Sequence, residues 1–315
     1  MNPVRPVHAA VSAHATESRL LMGTTVNITL VGQEADDVVQ AAFERAFGAM
    51  GFVERTCSRF DENSALRELC RHPLEPVRVP DILFETLRVA LELSELTDGA
   101  FDPTVGAALE NSGFNRHYLT GGATLAHQPG DERATYRDVV LNEHDRTVLL
   151  QKPLLLDLGA VAKGLAIDLA ARELDAWQGF AINAGGDLYL HGLDPAGTPW
   201  TVGIQHPLRK DAMICWLAAT DVAVCTSGSY ERRSPLSAAA HHLLDPRTGE
   251  SVRGLLSCTV VAPMAILADA VSTAAFVSGD AARAIAFLSD LELAGLCVDE
   301  TLAITKNAAM EEYTQ

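Results

Sequence analysis

One apolar segment constrains the fold of this chain more than any other: residues 264–279, MAILADAVSTAAFVSG. Nearly all of its side chains are apolar or small, which predicts a helix buried on every side. Asp269 lies in the middle, and Thr273 shares its face because positions i and i+4 of a helix are neighbours, with Ser272 beside them. An ionised carboxylate in apolar surroundings is costly unless it is paired, hydrogen-bonded or bound to a metal.

This segment leaves two interpretations of Asp269 open. The carboxylate is either an N-terminal cap or buried ion pair, or one half of a site for a hard cation together with the neighbouring hydroxyls. As a cap, Asp269 would start the helix, whereas as a member of a buried ion pair or of a cation site it would lie inside the helix.

The charge balance limits the classes of partner. The chain has 315 residues, and its 48% apolar and 21% charged residues are ordinary for a globular protein. Its formal net charge is −17, which disfavours nucleic acid and anionic membranes as partners. An anionic ligand would need a cation or local hydrogen-bond donors to offset this charge.

Cysteine usage and the absence of apolar runs bear on location. None of the six cysteines forms a C-x-x-C pair, and most lie in apolar stretches, so we expect buried thiols in a reducing compartment, with a disulfide between distant strands left open. No signal peptide, lipid-attachment cysteine or membrane-spanning run is visible. We predict a cytoplasmic protein without membrane insertion, and a disordered tail over residues 1–17.

The apolar patterns predict an α+β fold in one domain over residues 18–310. Residues 18–32 alternate like a strand, and residues 35–60 have helical spacing. Short strands dominate from residue 179 to 262, among them HHLLD at 241–245. Helices and strands therefore occur in runs and not in strict alternation, which favours α+β over a doubly wound sheet.

Several polar motifs lie at the ends of these elements. In LLLDLGAVAKGLAIDLAA (154–171), a strand leads through Asp157 and a glycine turn into a helix opened by Lys163, an arrangement that suits phosphate although a plain strand–turn–helix remains possible. The other motifs are a turn exposing Asp98 or Asp102, a Gly185-Gly186 turn, the hydroxyls of Ser227 and Ser229, and the pair His241-His242, at least one of which should face the interior. Together they suggest a cation-assisted enzyme acting on a phosphorylated ligand.

In this order the motifs resemble the ApbE family of FAD:protein FMN transferases. The matching pieces are LMGTTVNITL, SRFDENSALREL, TDGAFDPTVG, LDLGAVAKGLAIDLA, NAGGDLYLHG, TSGSYERR, HHLLDPRTG and ADAVSTAAFVSG, between about residues 20 and 279. The resemblance implies a compact domain with mixed, largely antiparallel sheets flanked by helices. It also implies Mg²⁺, FAD as substrate, transfer of FMN through a phosphoester to a Thr or Ser of an acceptor flavoprotein, and release of AMP.

The resemblance assigns roles to individual residues. Asp269, Thr273 and the carbonyl of Ala160 match Mg²⁺ ligands, and Asp269 and His242 are the catalytic candidates, His242 as proton acceptor. Asp157, Asp269 or water would be alternative acceptors. The remaining matches are contacts to FAD: Met22, Phe60 (where many relatives carry Tyr), Ala100, Phe101, Asp102, Asp157, Lys163, Leu243 and Ser272.

Two further points follow from the resemblance. Acceptors of this family usually present a D-x-x-[ST]-x-A-T-like segment, of which this chain has no clear copy, and the lipoprotein signal of many bacterial relatives is missing. The alternatives are an FAD pyrophosphatase that uses the same residues with water as nucleophile, and a flavin-binding protein without catalysis.

Overall fold

The computed structural model describes residues 13–123, 131, 133–237 and 240–315. Its strands are β1 His14–Leu21, β2 Thr24–Val31, β3 Pro76–Arg78, β4 Val139–Asn142, β5 Thr147–Leu150, β6 Gly179–Ala184, β7 Asp187–Gly192, β8 Trp200–His206, β9 Arg209–Ala219, β10 Val222–Gly228, β11 Leu255–Ala262, β12 Ala294–Asp299 and β13 Ile304–Lys306. Its α-helices are α1 Asp36–Cys57, α2 Ala65–Arg71, α3 Asp81–Leu96, α4 Gly106–Asn111, α5 Gly159–Glu173, α6 Ala265–Val277, α7 Ala281–Asp290 and α8 Ala308–Glu311.

One large sheet organises the molecule. Its eight strands lie in the order β1-β2-β6-β7-β10-β11-β12-β13, and every neighbouring pair is antiparallel. A three-stranded sheet, β3-β5-β4, and the ribbon β8-β9 are separate from it. The predicted α+β class with largely antiparallel sheets is therefore confirmed.

The large sheet is covered on both faces. Alternate residues of β10 point to opposite sides: Cys225 lies in a core shared with α1, α5 and α6, whereas Val224 lies in a second core with the β8-β9 ribbon and α8. Burial on both faces explains why β11 is a nearly continuous apolar run. Among the described residues, no helix is both long enough and apolar enough to cross a membrane.

Helix α6 is held against α5 and against strands β10 and β11. Its first turn is capped by Asp168 of α5, whose carboxylate accepts from the amides of Ala265 (2.7 Å) and Ile266 (2.9 Å). Asp269 lies inside α6 and not at its start, so the interpretation of Asp269 as an N-cap is wrong. The cap comes from the neighbouring helix, which the local sequence pattern does not reveal.

A glycine allows α5 and α6 to approach closely. A Cβ built on Gly164 would overlap the Ala265 carbonyl and lie 2.6 Å from the Cα of Ile266. No side chain larger than hydrogen fits between the two backbones at this point without moving them apart. The α5–α6 crossing, defined here as the contact of Gly164 with Ala265 and Ile266, therefore fixes the position of α6.

Three sequence predictions differ from the structure at turns and ends. Residues 18–32 form parts of two strands, because Met22 and Gly23, both with positive φ, make a two-residue turn. Residues 241–245 form only isolated bridges. The predicted tail, 1–17, ends too late, since β1 begins at His14 and pairs in full register with β2; its half-exposed side chains give a weak apolar signal, and residues 1–12 lie outside the described residues.

All six cysteines are free thiols, and most of them are buried as predicted. Cys258 and Cys297 face each other across β11 and β12 with their Sγ atoms 3.4 Å apart, without a disulfide.

We predict that Gly164→Ala destabilises the protein by about 1–3 kcal/mol, because the added methyl group forces α5 and α6 apart. Gly48→Ala in α1 is the matched control, since a Cβ there meets nothing within 4 Å. The control should be neutral or more stable by up to about 1 kcal/mol, as alanine favours helix. Urea unfolding measures the free energy of unfolding of both variants. If Gly164→Ala is as stable as Gly48→Ala, the close crossing is contradicted.

Candidate active site

Asp269 faces α5 and is held there by two groups. Its side chain is only 6% exposed, and its Oδ1 lies 3.3 Å from the Nζ of Lys163. Its Oδ2 accepts a hydrogen bond of 3.1 Å from the amide of Gly164. In a regular helix that amide lies one turn after the carbonyl of Ala160, so Ala160 and Lys163 belong to the same turn of α5. The structure thus brings together two predicted site residues, Asp269 and Lys163.

Lys163 also contacts a second buried carboxylate, Asp187 at the start of β7. Asp187 is 4% exposed, and its Oδ1 accepts from the amide of Thr226 on β10 at 3.0 Å. Two buried carboxylates therefore share one ammonium group. Asp187 was not among the predicted site residues, although it directly follows the Gly185-Gly186 turn in NAGGDLYLHG.

Buried hydroxyls extend the site on the other side of Asp269. The Oγ of Ser227 on β10 lies 2.8 Å from the Oγ of Ser272 and 2.9 Å from the Oγ1 of Thr273, and Ser272 donates to the carbonyl of Asp269 at 2.9 Å. We call these three residues and Asp269 the oxygen cluster. Ser227 is a second participant that was not among the predicted site residues, because its partners lie about 45 residues further along the chain.

The oxygen cluster fits a hard cation. Mg²⁺ prefers carboxylate, hydroxyl and carbonyl oxygens, and those are the groups gathered here. Within the described parts of the chain, no three His, Cys, Asp or Glu side chains form a metal cluster, so a cation site at this place would depend on Asp269 with hydroxyl and carbonyl oxygens. Burial raises the pKa of Asp269, and the Lys163 ammonium and the Gly164 amide oppose that rise.

Asp157 forms the second charged centre, at the start of α5. It pairs with the buried guanidinium of Arg59 and accepts from the amide of Gly159 at 2.8 Å. Burial alone would raise the pKa of Asp157, but the charge and hydrogen bonds of Arg59 and the Gly159 amide hold it below its usual value. The Arg59 guanidinium also lies 4.1 Å from the ring centroid of Phe60, so Phe60 borders the same centre.

His241 and His242 differ in their surroundings. The Nε2 of His241 lies 2.9 Å from the carbonyl of Val252, and its ring meets Phe276 edge-on, as expected for a structural histidine. The buried Nδ1 of His242 has no hydrogen-bond partner within the described structure. Burial, with a contribution from Arg232, lowers the pKa of His242 to about 3, so its ring is neutral near pH 7. The prediction that at least one of them faces the interior is confirmed.

Arg232 links the separate centres. Its positive charge helps to lower the pKa of Asp157 and of His242 and opposes the rise in the pKa of Asp269, so all three lie in its neighbourhood. Its guanidinium adjoins the Met22-Gly23 turn, since a Cβ on Gly23 would be 3.6 Å from Nη2. Arg232 is exposed, and its side chain forms no ion pair with any described carboxylate. Arg232 was not among the predicted site residues, and the one signal that could have found it is its place in TSGSYERR.

The Met22-Gly23 turn is clamped by α1. The amide of Met22, whose φ is 53°, donates to the Oε1 of Glu54 at 2.9 Å. The hydroxyl of Tyr118 donates to the same oxygen at 2.8 Å. Glu54 thus holds the Met22-Gly23 turn and Tyr118 together beside Arg232.

The loop containing Ala100, Phe101 and Asp102 has a structural role of its own. The Asp102 carboxylate accepts from the amide and hydroxyl of Thr104 (2.8 and 2.7 Å) and from the amide of Tyr136 (2.9 Å). Phe101 is buried in the core, as is Leu243. The loop still borders the site, because the Asp157 amide donates to the carbonyl of Pro103 at 2.8 Å.

Comparison with known proteins identifies the family of this chain. The ApbE family model matches residues 22–296. The chain belongs to the ApbE family. Curated relatives named FAD:protein FMN transferase include those of Treponema pallidum, 31% identical over 84% of this chain and 78% of the relative, and of Escherichia coli K12, 29% identical over 84% and 80%.

Solved ApbE structures have the same fold. The ApbE protein of Thermotoga maritima superposes with a TM-score of 0.86 at 30% identity, over 96% of this chain and 100% of that one. The flavin transferase ApbE of Vibrio cholerae gives a TM-score of 0.81 at 24% identity, over 96% and 99%.

We predict that Arg59→Met destabilises this ApbE-family protein by about 3–5 kcal/mol at pH 7, because it leaves the Asp157 carboxylate buried without its cation. The double variant Arg59→Met/Asp157→Asn should recover most of the loss. In the wild type, Asp157 has a lowered pKa, so its contribution is present above about pH 4 and is lost as the pH falls through the folded-state pKa.

Urea unfolding at pH 7 and pH 5 checks both parts of this prediction. The difference in the free energy of unfolding between the single and the double variant should be smaller at pH 5, because the unpaired carboxyl group of Asp157 takes up a proton there. Equal stability of the two variants at pH 7 would contradict the role of Arg59.

The neutral His242 gives a separate pH dependence. Its folded-state pKa, about 3, lies below the unfolded value, so the unfolded chain binds a proton first and stability falls as the pH drops below about 6.5. We predict that His242→Gln reduces this slope between pH 6.5 and 5 by up to about 1.4 kcal/mol per pH unit. His144→Gln, in the exposed turn between β4 and β5, is the control, and an unchanged slope in His242→Gln would refute the prediction.

Proposed function

We propose that this protein is an FAD:protein FMN transferase. It takes FAD as substrate, attaches FMN through a phosphoester to a Thr or Ser of an acceptor flavoprotein, and releases AMP. The observation that carries the proposal is the oxygen cluster beside Lys163, within reach of Arg232, in a chain of the ApbE family. Its relatives in Treponema pallidum and Escherichia coli carry the name of this activity.

Asp269, Thr273 and the Ala160 carbonyl would hold Mg²⁺. The support is the convergence of oxygen donors around a buried carboxylate. When bound, the ion supplies a Lewis acid that neutralises charge on the pyrophosphate.

Two cations of the chain bind the phosphates of FAD. The Lys163 ammonium lies beside Asp269, and the Arg232 guanidinium has no carboxylate partner among the described residues. Arg59 also has a buried nitrogen, Nη1, without a described hydrogen-bond partner, which a bound ligand would satisfy. These groups overcome the repulsion that a chain of net charge −17 exerts on an anionic substrate.

The remaining assignments concern the two ends of FAD. Met22 and Phe60 contact the flavin side, and the support is their position beside Arg232 and Arg59. Ala100 and the buried Phe101 and Asp102 shape the adenosine side mainly through the backbone of their loop. Leu243 and Ser272 provide further contacts.

His242 accepts the proton of the acceptor hydroxyl. The hydroxyl oxygen forms a bond to the FMN-side phosphorus, the bond from that phosphorus to the oxygen of the AMP phosphate breaks, and AMP leaves with that oxygen. The hydroxyl proton goes to the Nδ1 of His242. The support for this role is a neutral ring with a buried nitrogen that no described group occupies. The pKa of about 3 belongs to the protein without substrate, and the negative phosphates of bound FAD would raise it towards the value that a proton acceptor needs.

The acceptor is a flavoprotein with a D-x-x-[ST]-x-A-T-like segment, as the family resemblance implies. A cytoplasmic location remains a prediction from the sequence.

Mass spectrometry tests the activity. Purified protein, FAD and Mg²⁺ are mixed with a carrier that bears the acceptor segment, and a gain of one FMN on the carrier Thr is expected. The gain should vanish with EDTA and with a Thr→Val carrier, and Asp269→Asn should lower the rate at least ~100-fold because transition-state charge is no longer neutralised. Asp290→Asn, at the exposed end of α7, is the control.

The other products separate the alternatives. Free FMN and AMP with an unmodified carrier would contradict the transferase in favour of an FAD pyrophosphatase. Bound FAD with neither product would indicate a flavin-binding protein.

A further inference from the structure

Lys163 occupies a position between two carboxylates that are themselves fixed. Asp187 is held by the amide of Thr226, and Asp269 by the amide of Gly164. The side chains of both carboxylates are 6% exposed, and that of Lys163 is 19% exposed. The ammonium group is therefore the movable member of the three, since its stem has four rotatable bonds whereas each carboxylate is tied to the backbone of a neighbouring element.

The three groups together carry one uncompensated negative charge. One ammonium neutralises one of the two carboxylates, and a buried excess charge is unfavourable unless another cation reaches it. The ammonium lies 3.3 Å from the Oδ1 of Asp269, the residue whose carboxylate the proposed Mg²⁺ would need. A divalent cation at Asp269 repels the ammonium strongly at such distances. Lys163 must then release Asp269.

We propose that Asp187 is a positioning residue. It keeps Lys163 in the site when a divalent cation displaces the ammonium group of Lys163 from Asp269. This inference rests on the proposed cation site. Without the cation, Lys163 stabilises Asp269; with it, Lys163 stays paired to Asp187 at the edge of the site, where its remaining N–H donors face the phosphates. Asp187 also supplies the negative charge that favours the cation over the ammonium at Asp269.

The first test measures the pairing without any metal. In EDTA, Lys163→Met leaves two buried carboxylates unpaired and should lower Tm by roughly 6–12 °C. Adding Asp187→Asn removes one of those charges, so the double variant should regain part of the loss. Equal Tm values for Lys163→Met and the double variant would overturn the proposal.

The second test measures the dissociation constant of Mg²⁺ alone by isothermal titration calorimetry. Asp187→Asn should weaken binding roughly tenfold, because Lys163 then competes for Asp269 in a cluster with no net charge. Lys163→Met/Asp187→Asn should restore binding to near the wild-type value, because the competitor is gone and the net charge of the wild type is regained. A merely structural role for Asp187 would not give this recovery. Asp290→Asn should bind Mg²⁺ as the wild type does.

The outcomes distinguish the inference from the proposed function. If the wild type binds Mg²⁺ and Asp269→Asn does not, but Asp187→Asn binds with unchanged affinity, the retention role of Asp187 is overturned and the cation site stands. A double variant no better than Asp187→Asn would overturn the retention role in the same way. If the wild type fails to bind Mg²⁺ at all, the proposed cation site falls, and the retention role falls with it.

Discussion

The close crossing of α5 and α6 at Gly164 is the contact on which the rest of the site depends. Because no side chain separates the two backbones there, the Gly164 amide reaches the carboxylate of Asp269. The same approach brings Lys163 within 3.3 Å of that carboxylate. Strand β10 then completes the arrangement, since its Ser227 meets the two hydroxyls of α6 and the Thr226 amide anchors Asp187. A shift of α6 would break the contacts of Asp269, Ser272 and Thr273 together.

Each buried carboxylate of this region is hydrogen-bonded or paired with a cation by groups of the protein itself. Asp168 accepts the first amides of α6, Asp157 pairs with Arg59, and Asp269 and Asp187 share Lys163. The fold therefore holds these acids in place without a ligand, although the last pair is compensated by only one cation. An arrangement that is stable and yet carries a net negative charge is suited to binding a cation and then an anionic substrate.

The sequence predicted the parts of this arrangement that depend on neighbours along the chain. Apolar periodicity identified α1 and α6 and placed Asp269 and Thr273 on one face, and the family resemblance supplied roles for Lys163 and Ala160. Periodicity carries no information on pairs such as Arg59–Asp157 or Lys163–Asp187, whose partners meet only through tertiary packing. The turn at Met22 was missed for another reason: methionine rarely adopts positive φ, and here Glu54 holds it there.

We propose that one site at the α5–α6 crossing holds both a divalent cation and FAD. The anomalous difference map of a crystal grown with FAD and Mn²⁺ in place of Mg²⁺ would locate both groups. We expect a Mn²⁺ peak about 2.1 Å from the carboxylate of Asp269, next to Thr273 and the Ala160 carbonyl, with flavin density at the Met22-Gly23 turn. A Mn²⁺ peak elsewhere, with Lys163 still bound to Asp269 and the flavin away from that turn, would contradict it.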